Sequence, residues 1–141
     1  MRLLKELNSG TVISFYSMND YYEPELKEYR LGLIENVAKN SPVKHIFVHG
    51  NLADKALVDK VFAEYKPAVV VNLAAQAGVR YSIEHPDVYI ESNLIGFFNI
   101  LEACRHNPVE HLVYASSSSV YGGNKKVPFS VDDKVDNPVS L

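Results

Sequence analysis

Residues 68–74 read AVVVNLA, and this run decides the fold. Its apolar side chains fall on both sides of the two-residue alternation of an extended chain, so a strand made of them has no solvent face. Such strands belong to parallel sheets covered by helices on both faces. The flanks agree. Downstream, residues 88–105 predict a long helix, and residues 110–115 a second buried strand. Upstream, residues 54–65 predict a helix with Leu57, Val58, Val61 and Phe62 inward and Asp54 as its cap. Residues 43–49, VKHIFVH, read as a strand. Residues 25–40 place Leu26, Tyr29, Leu33 and Val37 at three- and four-residue spacing behind Pro24, a first-turn proline. Residues 11–16, TVISFY, are β-rich, and residues 1–8 read as the end of a helix that Gly10 stops.

Helix and strand thus alternate four times, which implies right-handed crossovers and a parallel sheet. The expected class is α/β: a doubly wound, Rossmann-like parallel sheet in one partial domain over residues 1–141. Such domains open on a strand, and this chain opens on a helix, so the first strand is expected to be missing. The glycine-rich turn that cradles a pyrophosphate would go with it. No G-x-G-x-x-G occurs, and Gly122-Gly123 lacks the spacing.

Composition narrows the function. At 141 residues the chain can bury one core, not two. A net charge of −3 without a basic face argues against nucleic acid. Cys104 is the only cysteine, which excludes an intrachain disulfide and fits a reducing cytoplasm. No apolar run approaches the length of a membrane span, and MRLLKELNSG carries no leader pattern. His45, His49, His85, His106 and His111 match no metal spacing, so no metal site is expected. Tyr21, Tyr22 and Tyr29 read as packing residues, and Cys104 as a small core residue.

The chemistry is expected at Ser116, Ser117, Ser118 and Ser119, which follow the strand 110–115 directly. Parallel sheets bind ligands outside the carboxyl ends of their strands. A polar loop capping the next element is the alternative on these residues alone.

Five segments carry a resemblance: MNDYY (18–22), VVNLAAQAGVRYS (70–82), ESN (91–93), NILEACR (99–105) and YASSSSVYGGN (114–124). Together they resemble the NAD-dependent sugar epimerase/dehydratase family, the extended short-chain dehydrogenases, and within it the UDP-glucuronate 4-epimerases. The likeness runs the length of the chain. It implies an isomerase: bound NAD takes hydride from sugar C4 and returns it to the other face of a 4-keto intermediate. It implies roles for residues as well. Ser117 would hydrogen-bond the sugar 4-hydroxyl and relay its proton. Ser118 and Ser119 would contact the sugar, with Ser116 buried in support of the strand end. Leu73, Ala74, Ala75 and Gln76 would line the cofactor, or else serve only to pack helix on strand. Gly78, Val79 and Arg80 would flank the substrate, where Arg80 suits a carboxylate or phosphate as well as it suits solvent. Asn93 would hold the strand ends and the cofactor pocket together. Asn51 and Leu52 would read the adenine ring, or form a turn.

Departures from the family pattern are equally specific. The acidic residue that ends the second strand and binds the adenosine ribose is replaced by Tyr16, with Ser17 beside it. The family's catalytic Tyr-x-x-x-Lys pair and its substrate-binding half would follow Leu141. The chain is therefore expected to be an epimerase fragment without activity of its own. The other reading is a non-catalytic Rossmann-like module that pairs through an exposed sheet edge. Fragments of a UDP-glucose 4-epimerase or of a sugar-nucleotide 4,6-dehydratase share the serine strand. The partners implied are a nucleotide sugar and, with room for it, a second copy in a homodimer.

Overall fold

The computed structural model describes residues 1–137 and Val139. Its elements follow in the order α1 (Arg2–Glu6), β1 (Thr11–Tyr16), α2 (Pro24–Lys39), β2 (Lys44–His49), α3 (Lys55–Tyr65), β3 (Val69–Asn72), α4 (Tyr81–Glu84), α5 (Pro86–Tyr89), a π-helical segment (Ile90–Gly96), α6 (Phe97–His106), β4 (His111–Tyr114) and a 3-10 turn (Ser118–Tyr121). The strands are parallel, as expected. β1 pairs with β2 from Thr11 opposite Lys44 to Tyr16 opposite His49. β3 pairs with β4 from Val69 opposite His111 to Asn72 opposite Tyr114.

The two pairs do not hydrogen-bond to each other. They share a helical layer instead. Val58 and Phe62 of α3 and Ile100 and Ala103 of α6 form the main buried cluster, and Phe15 of β1, Val70 of β3 and Leu112 of β4 all pack on it. The chain runs from β1 through α2 to β2, crosses by α3 to β3, and reaches β4 through α6. The one incomplete sheet expected from the sequence takes the form of two separate two-stranded ladders.

Local chemistry explains most boundaries. Asp54 caps α3, its Oδ1 accepting from the Leu57 N–H at 3.0 Å. Lys66 closes that helix in the left-handed region. Leu4 of α1 and Val43 form a second buried patch, tied by Ser41, whose Oγ donates to the Leu4 carbonyl at 2.5 Å.

Four expectations are corrected. β3 is not covered on both faces: Val69 and Val71 are 55% and 53% exposed, because only the α3–α6 layer lies against it, on the side of Val70 and Asn72. Leu26 and Tyr29 do not face inward; both are exposed, as is Tyr22, and the buried position on that half of α2 is Lys27. The helix expected over residues 88–105 is interrupted by the π-helical segment. There Gly96 is pressed on the turn after β2, where an added Cβ would stand 3.0 Å from Leu52 Cβ. Tertiary anchors of this kind outweigh the regular helical ladder. Finally, Ser116 is exposed rather than buried, because β4 ends at Tyr114 and the chain has left the sheet.

Candidate functional site

Within each ladder the strands are parallel, and the hydrogen bond from Tyr21 to the Ala77 carbonyl brings the turns after β1 and β3 to one edge. Four turns meet there, after Tyr16, His49, Asn72 and Tyr114. The Gly50 N–H donates to the Tyr16 carbonyl at 3.1 Å, and the Ala115 N–H to the Asn72 carbonyl at 3.0 Å, so each pair of turns starts in register.

The serine run stands free at this edge, with Ser117, Ser118 and Ser119 exposed. Ser117 caps the 3-10 turn, its Oγ accepting from the Ser119 N–H at 3.1 Å. That bond uses a lone pair and leaves the hydroxyl proton to donate. Across the edge, Leu73, Ala74 and Ala75 are exposed and offer a low wall of small and apolar groups. Gln76 differs: it is buried, 7% exposed, and its backbone is gripped by Asn93. The Gln76 N–H donates to Asn93 Oδ1 at 2.8 Å, and Asn93 Nδ2 donates back to the Gln76 carbonyl at 3.0 Å. Asn93 thus holds the backbone of the turn after β3.

Asn51 is engaged at both ends of its amide. Nδ2 donates to Glu91 Oε1 at 2.6 Å, and Oδ1 accepts from the Ala53 N–H at 3.0 Å. One Nδ2 hydrogen and one Oδ1 lone pair are left for a further partner. Leu52 is half-buried against the α3–α6 cluster, and its carbonyl accepts from Asn99 Nδ2 at 2.8 Å. Gly78, Val79 and Arg80 are exposed, and Arg80 makes no ion pair among the described residues.

Sequence reasoning missed a tyrosine clamp. Tyr21, from the turn after β1, donates its hydroxyl to the Ala77 carbonyl at 2.9 Å. Tyr89 donates to the same carbonyl at 3.0 Å and also reaches the Gly78 carbonyl. Tyr21 stacks near Tyr22 and Tyr81. Burial, then the neighbouring phenols, pushes its hydroxyl pKa above the ordinary 10.0. Gly78 sits at φ +107°, and an added Cβ would stand 2.7 Å from the Tyr21 hydroxyl. No linear motif links residues 21, 78 and 89, so no sequence signal announced the clamp.

A Tyr-x-x-x-Lys spacing does occur once, at Tyr121 and Lys125. Gly122, at φ +52°, turns the chain between them, so the two do not share a helical face. Tyr121 instead stacks on Phe129, ring centroids 4.5 Å apart. The histidines serve structure: His45 Nε2 lies 3.0 Å from Ser14 Oγ, and His49 Nε2 lies 2.8 Å from the Ser17 carbonyl. No three His, Cys, Asp or Glu among the described residues are grouped to hold a metal. No helix among them is long and apolar enough to cross a membrane.

Concavity alone points elsewhere. Two open hollows lie against α1, α2 and the start of β2, one lined by Val43, His45 and Phe47, the other by Leu4, Leu33 and Val37. Neither reaches the carboxyl end of a strand. The converging turns and free hydroxyls mark the better site.

Residues 21–140 match the family model described as GDP-mannose 4,6 dehydratase, an NAD-dependent epimerase/dehydratase group. The chain belongs to that family. It is 52% identical over 130 residues to Protein CapI of Staphylococcus aureus, covering 92% of this chain and 37% of that protein. It is 46% identical over 139 residues to UDP-glucuronate 4-epimerase 3 of Arabidopsis thaliana, covering 98% of this chain and 31% of that one. The chain therefore spans about a third of the length of these curated relatives. Among solved structures, UDP-glucose 4-epimerase from Stenotrophomonas maltophila, with bound NAD, superimposes with a TM-score of 0.69 at 19% identity, over 92% of this chain and 42% of that one. The Thermus thermophilus UDP-glucose 4-epimerase, in complex with NAD, gives 0.60 at 27% identity, over 92% and 45%. These likenesses support the Rossmann-like α/β class.

NAD is the cofactor the family implies. The donor set fits it in part. The Ala74–Ala75 wall, steadied by Gln76 and Asn93, suits an extended ligand at the switch point. No G-x-G-x-x-G is present to cradle a pyrophosphate, and β1 ends on Tyr16 rather than a carboxylate.

Proposed function

We propose that this chain is part of a nucleotide-sugar 4-epimerase of the UDP-glucuronate type. The observation that carries the reading is the serine run, free at the carboxyl end of a parallel strand whose partner strand runs on into Ala74 and Ala75. The 46% identity to a UDP-glucuronate 4-epimerase supports UDP-glucuronate as the substrate. NAD, when bound, supplies the hydride acceptor and donor for sugar C4.

The chain's own residues bind and orient. Ser117 hydrogen-bonds the sugar 4-hydroxyl and passes on its proton. Ser118 and Ser119 hold the sugar ring or its carboxylate. Arg80 pairs with the carboxylate or a phosphate through two hydrogen bonds. Gly78 and Val79 form the floor beside it, and the clamp of Tyr21 and Tyr89 keeps that loop in place. Leu73, Ala74, Ala75 and Gln76 wall the cofactor, with Leu52 and Asn51 against its adenine. The acid/base tyrosine and its lysine are not among these residues, so the chain alone is proposed to be inactive. A second copy is a proposed partner, through the exposed stripe Leu94, Phe98 and Leu101.

The test is epimerisation of UDP-glucuronate by the complete gene product, followed by proton NMR at sugar C4. Conversion to UDP-galacturonate is expected, and Ser117→Ala should slow it roughly a hundredfold. A folded protein that leaves UDP-glucuronate unchanged would overturn the reading.

A further inference from the structure

We infer that Glu91 locks the Asn51 side-chain amide in the one orientation that reads the amino group of adenine, and so sets the base specificity of the site. The inference rests on the nucleotide site proposed above and adds a positioning residue to it.

Glu91 is carried by the π-helical segment Ile90–Gly96. Such segments widen a helix locally and recur at functional sites. Here two residues of the segment reach two different turns. Asn93 holds Gln76 after β3, and Glu91 holds Asn51 after β2. The far end of the segment is anchored on the same turn as Asn51. Gly96 is buried there, close to Leu52. Asn99, just beyond, donates its Nδ2 to the Leu52 carbonyl at 2.8 Å and to the Ala53 carbonyl at 3.2 Å.

The partners of Asn51 decide which way round its amide lies. Glu91 Oε1 accepts from Nδ2 at 2.6 Å, and the Ala53 N–H donates to Oδ1 at 3.0 Å. A carboxylate only accepts, and a backbone N–H only donates. Were the amide reversed, Oδ1 would meet the carboxylate and Nδ2 the N–H, acceptor against acceptor and donor against donor. The Ala53 bond is neutral. The Glu91 bond is charge-assisted, a class roughly twice as strong.

Asn51 is exposed at the carboxyl end of β2, with one donor and one acceptor of its amide still unused. Adenine offers an amino donor beside a ring-nitrogen acceptor, a pattern that an asparagine amide meets through two bonds. Hypoxanthine carries a carbonyl acceptor in place of that amine. An amide free to turn over would serve either base. A locked one leaves the hypoxanthine carbonyl facing another acceptor.

Two dinucleotides separate the possibilities: NAD and nicotinamide hypoxanthine dinucleotide, identical except for that one group of the base. Each is titrated by calorimetry into the complete gene product, freed of bound nucleotide. Wild type is expected to bind NAD about tenfold more tightly, the scale of one hydrogen bond lost and its acceptor left unpaired. Glu91→Ala should bring that ratio down to about threefold or less, since only the neutral bond then orients the amide. Glu91→Gln should act alike, because its own amide can turn to match Asn51 either way round. Should Glu91→Ala fail to fold, Glu91→Gln decides. A residue that only braces the fold would weaken both dinucleotides equally and leave the ratio unchanged. That result would overturn the inference, as would a wild type without preference for NAD. If NAD binds and UDP-glucuronate is epimerised while the ratio ignores Glu91, the inference alone falls. If neither dinucleotide binds, the nucleotide site itself is wrong, and the proposed function falls with it.

Discussion

Asn93 is the residue on which the site's geometry turns. Its amide meets both the N–H and the carbonyl of Gln76, and Gln76 is buried. Asn93→Ala therefore strands two backbone groups out of reach of water. A loss of about 1–3 kcal/mol is expected, read from urea unfolding. Asn93→Asp should restore acceptance from the Gln76 N–H but not donation to its carbonyl, and so lie between. An alanine variant as stable as wild type would mean the pairing carries no weight. Asn93 was legible in sequence because a polar side chain within an apolar helix needs a partner. The serine run was legible for a similar reason, as hydroxyls directly after a buried strand. Tyr21 and Tyr89 were not. Each is an ordinary aromatic in its own segment, and only the fold brings 21 and 89 onto the carbonyl of residue 77. Tyr16 was visible as a substitution, but the charge beside it was not. An amphipathic pattern assigns Lys27 to the wet face of α2, and tertiary contact buries it.

At the scale of elements, β1 was read to the residue and α1, α2 and α3 to within one or two, whereas α4 was not foreseen and α5 and α6 were read as one helix. Hydrophobic periodicity is strongest where a helix packs along its length, as α3 does with Val58 and Phe62. It failed at Ile90–Gly96, where contacts from outside the helix set the winding. α6 and the π-helical segment before it carry two predictions. Its Glu102 is paired with Arg105, Oε2 to Nη2 at 2.7 Å. The Arg105 hydrogen bond is the main cause holding the Glu102 carboxyl below its ordinary 4.5, against a smaller opposing effect of burial. A depressed folded pKa contributes stability above the unfolded value, and that stability is lost as pH falls through the folded one. Wild type should thus lose a small increment below about pH 4.5 that Glu102→Gln does not lose, seen as convergence of their thermal midpoints in acid. The other prediction concerns the stripe Leu94, Phe98 and Leu101, which are 65%, 56% and 41% exposed at helical spacing. A patch of this kind marks an interface. Sedimentation should find a dimer that Phe98→Glu converts to monomer; a monomeric wild type would remove the homodimer from the proposal.

For the whole molecule, the absence of hydrogen bonds between the two ladders sets how the protein comes apart. The β1–β2 ladder lies with α1 and α2, where Leu4 and Val43 are buried. The β3–β4 ladder lies on α3 and α6 with the larger cluster. Phe15 and Leu52 are the apolar links from the first half to the second. A continuous sheet would couple the halves through a backbone ladder, whereas a few side chains couple them weakly. Cooperative units of this kind open separately, with free energies below that of global unfolding. Native-state hydrogen exchange should therefore show α2 and β2 opening before α6 and β3. Leu4→Ala, a large-to-small change at a residue 2% exposed, should cost about 2–5 kcal/mol in the first half. Exchange in β2 and α2 should speed accordingly, while α6 amides keep their wild-type rates. Phe62→Ala should do the reverse, at about 3–5 kcal/mol in the second half. If either substitution instead accelerates every amide alike, the molecule unfolds as one unit. The link through Phe15 and Leu52 would then be as strong as the strand pairing it replaces, and the gap between β1 and β3 would have no mechanical consequence.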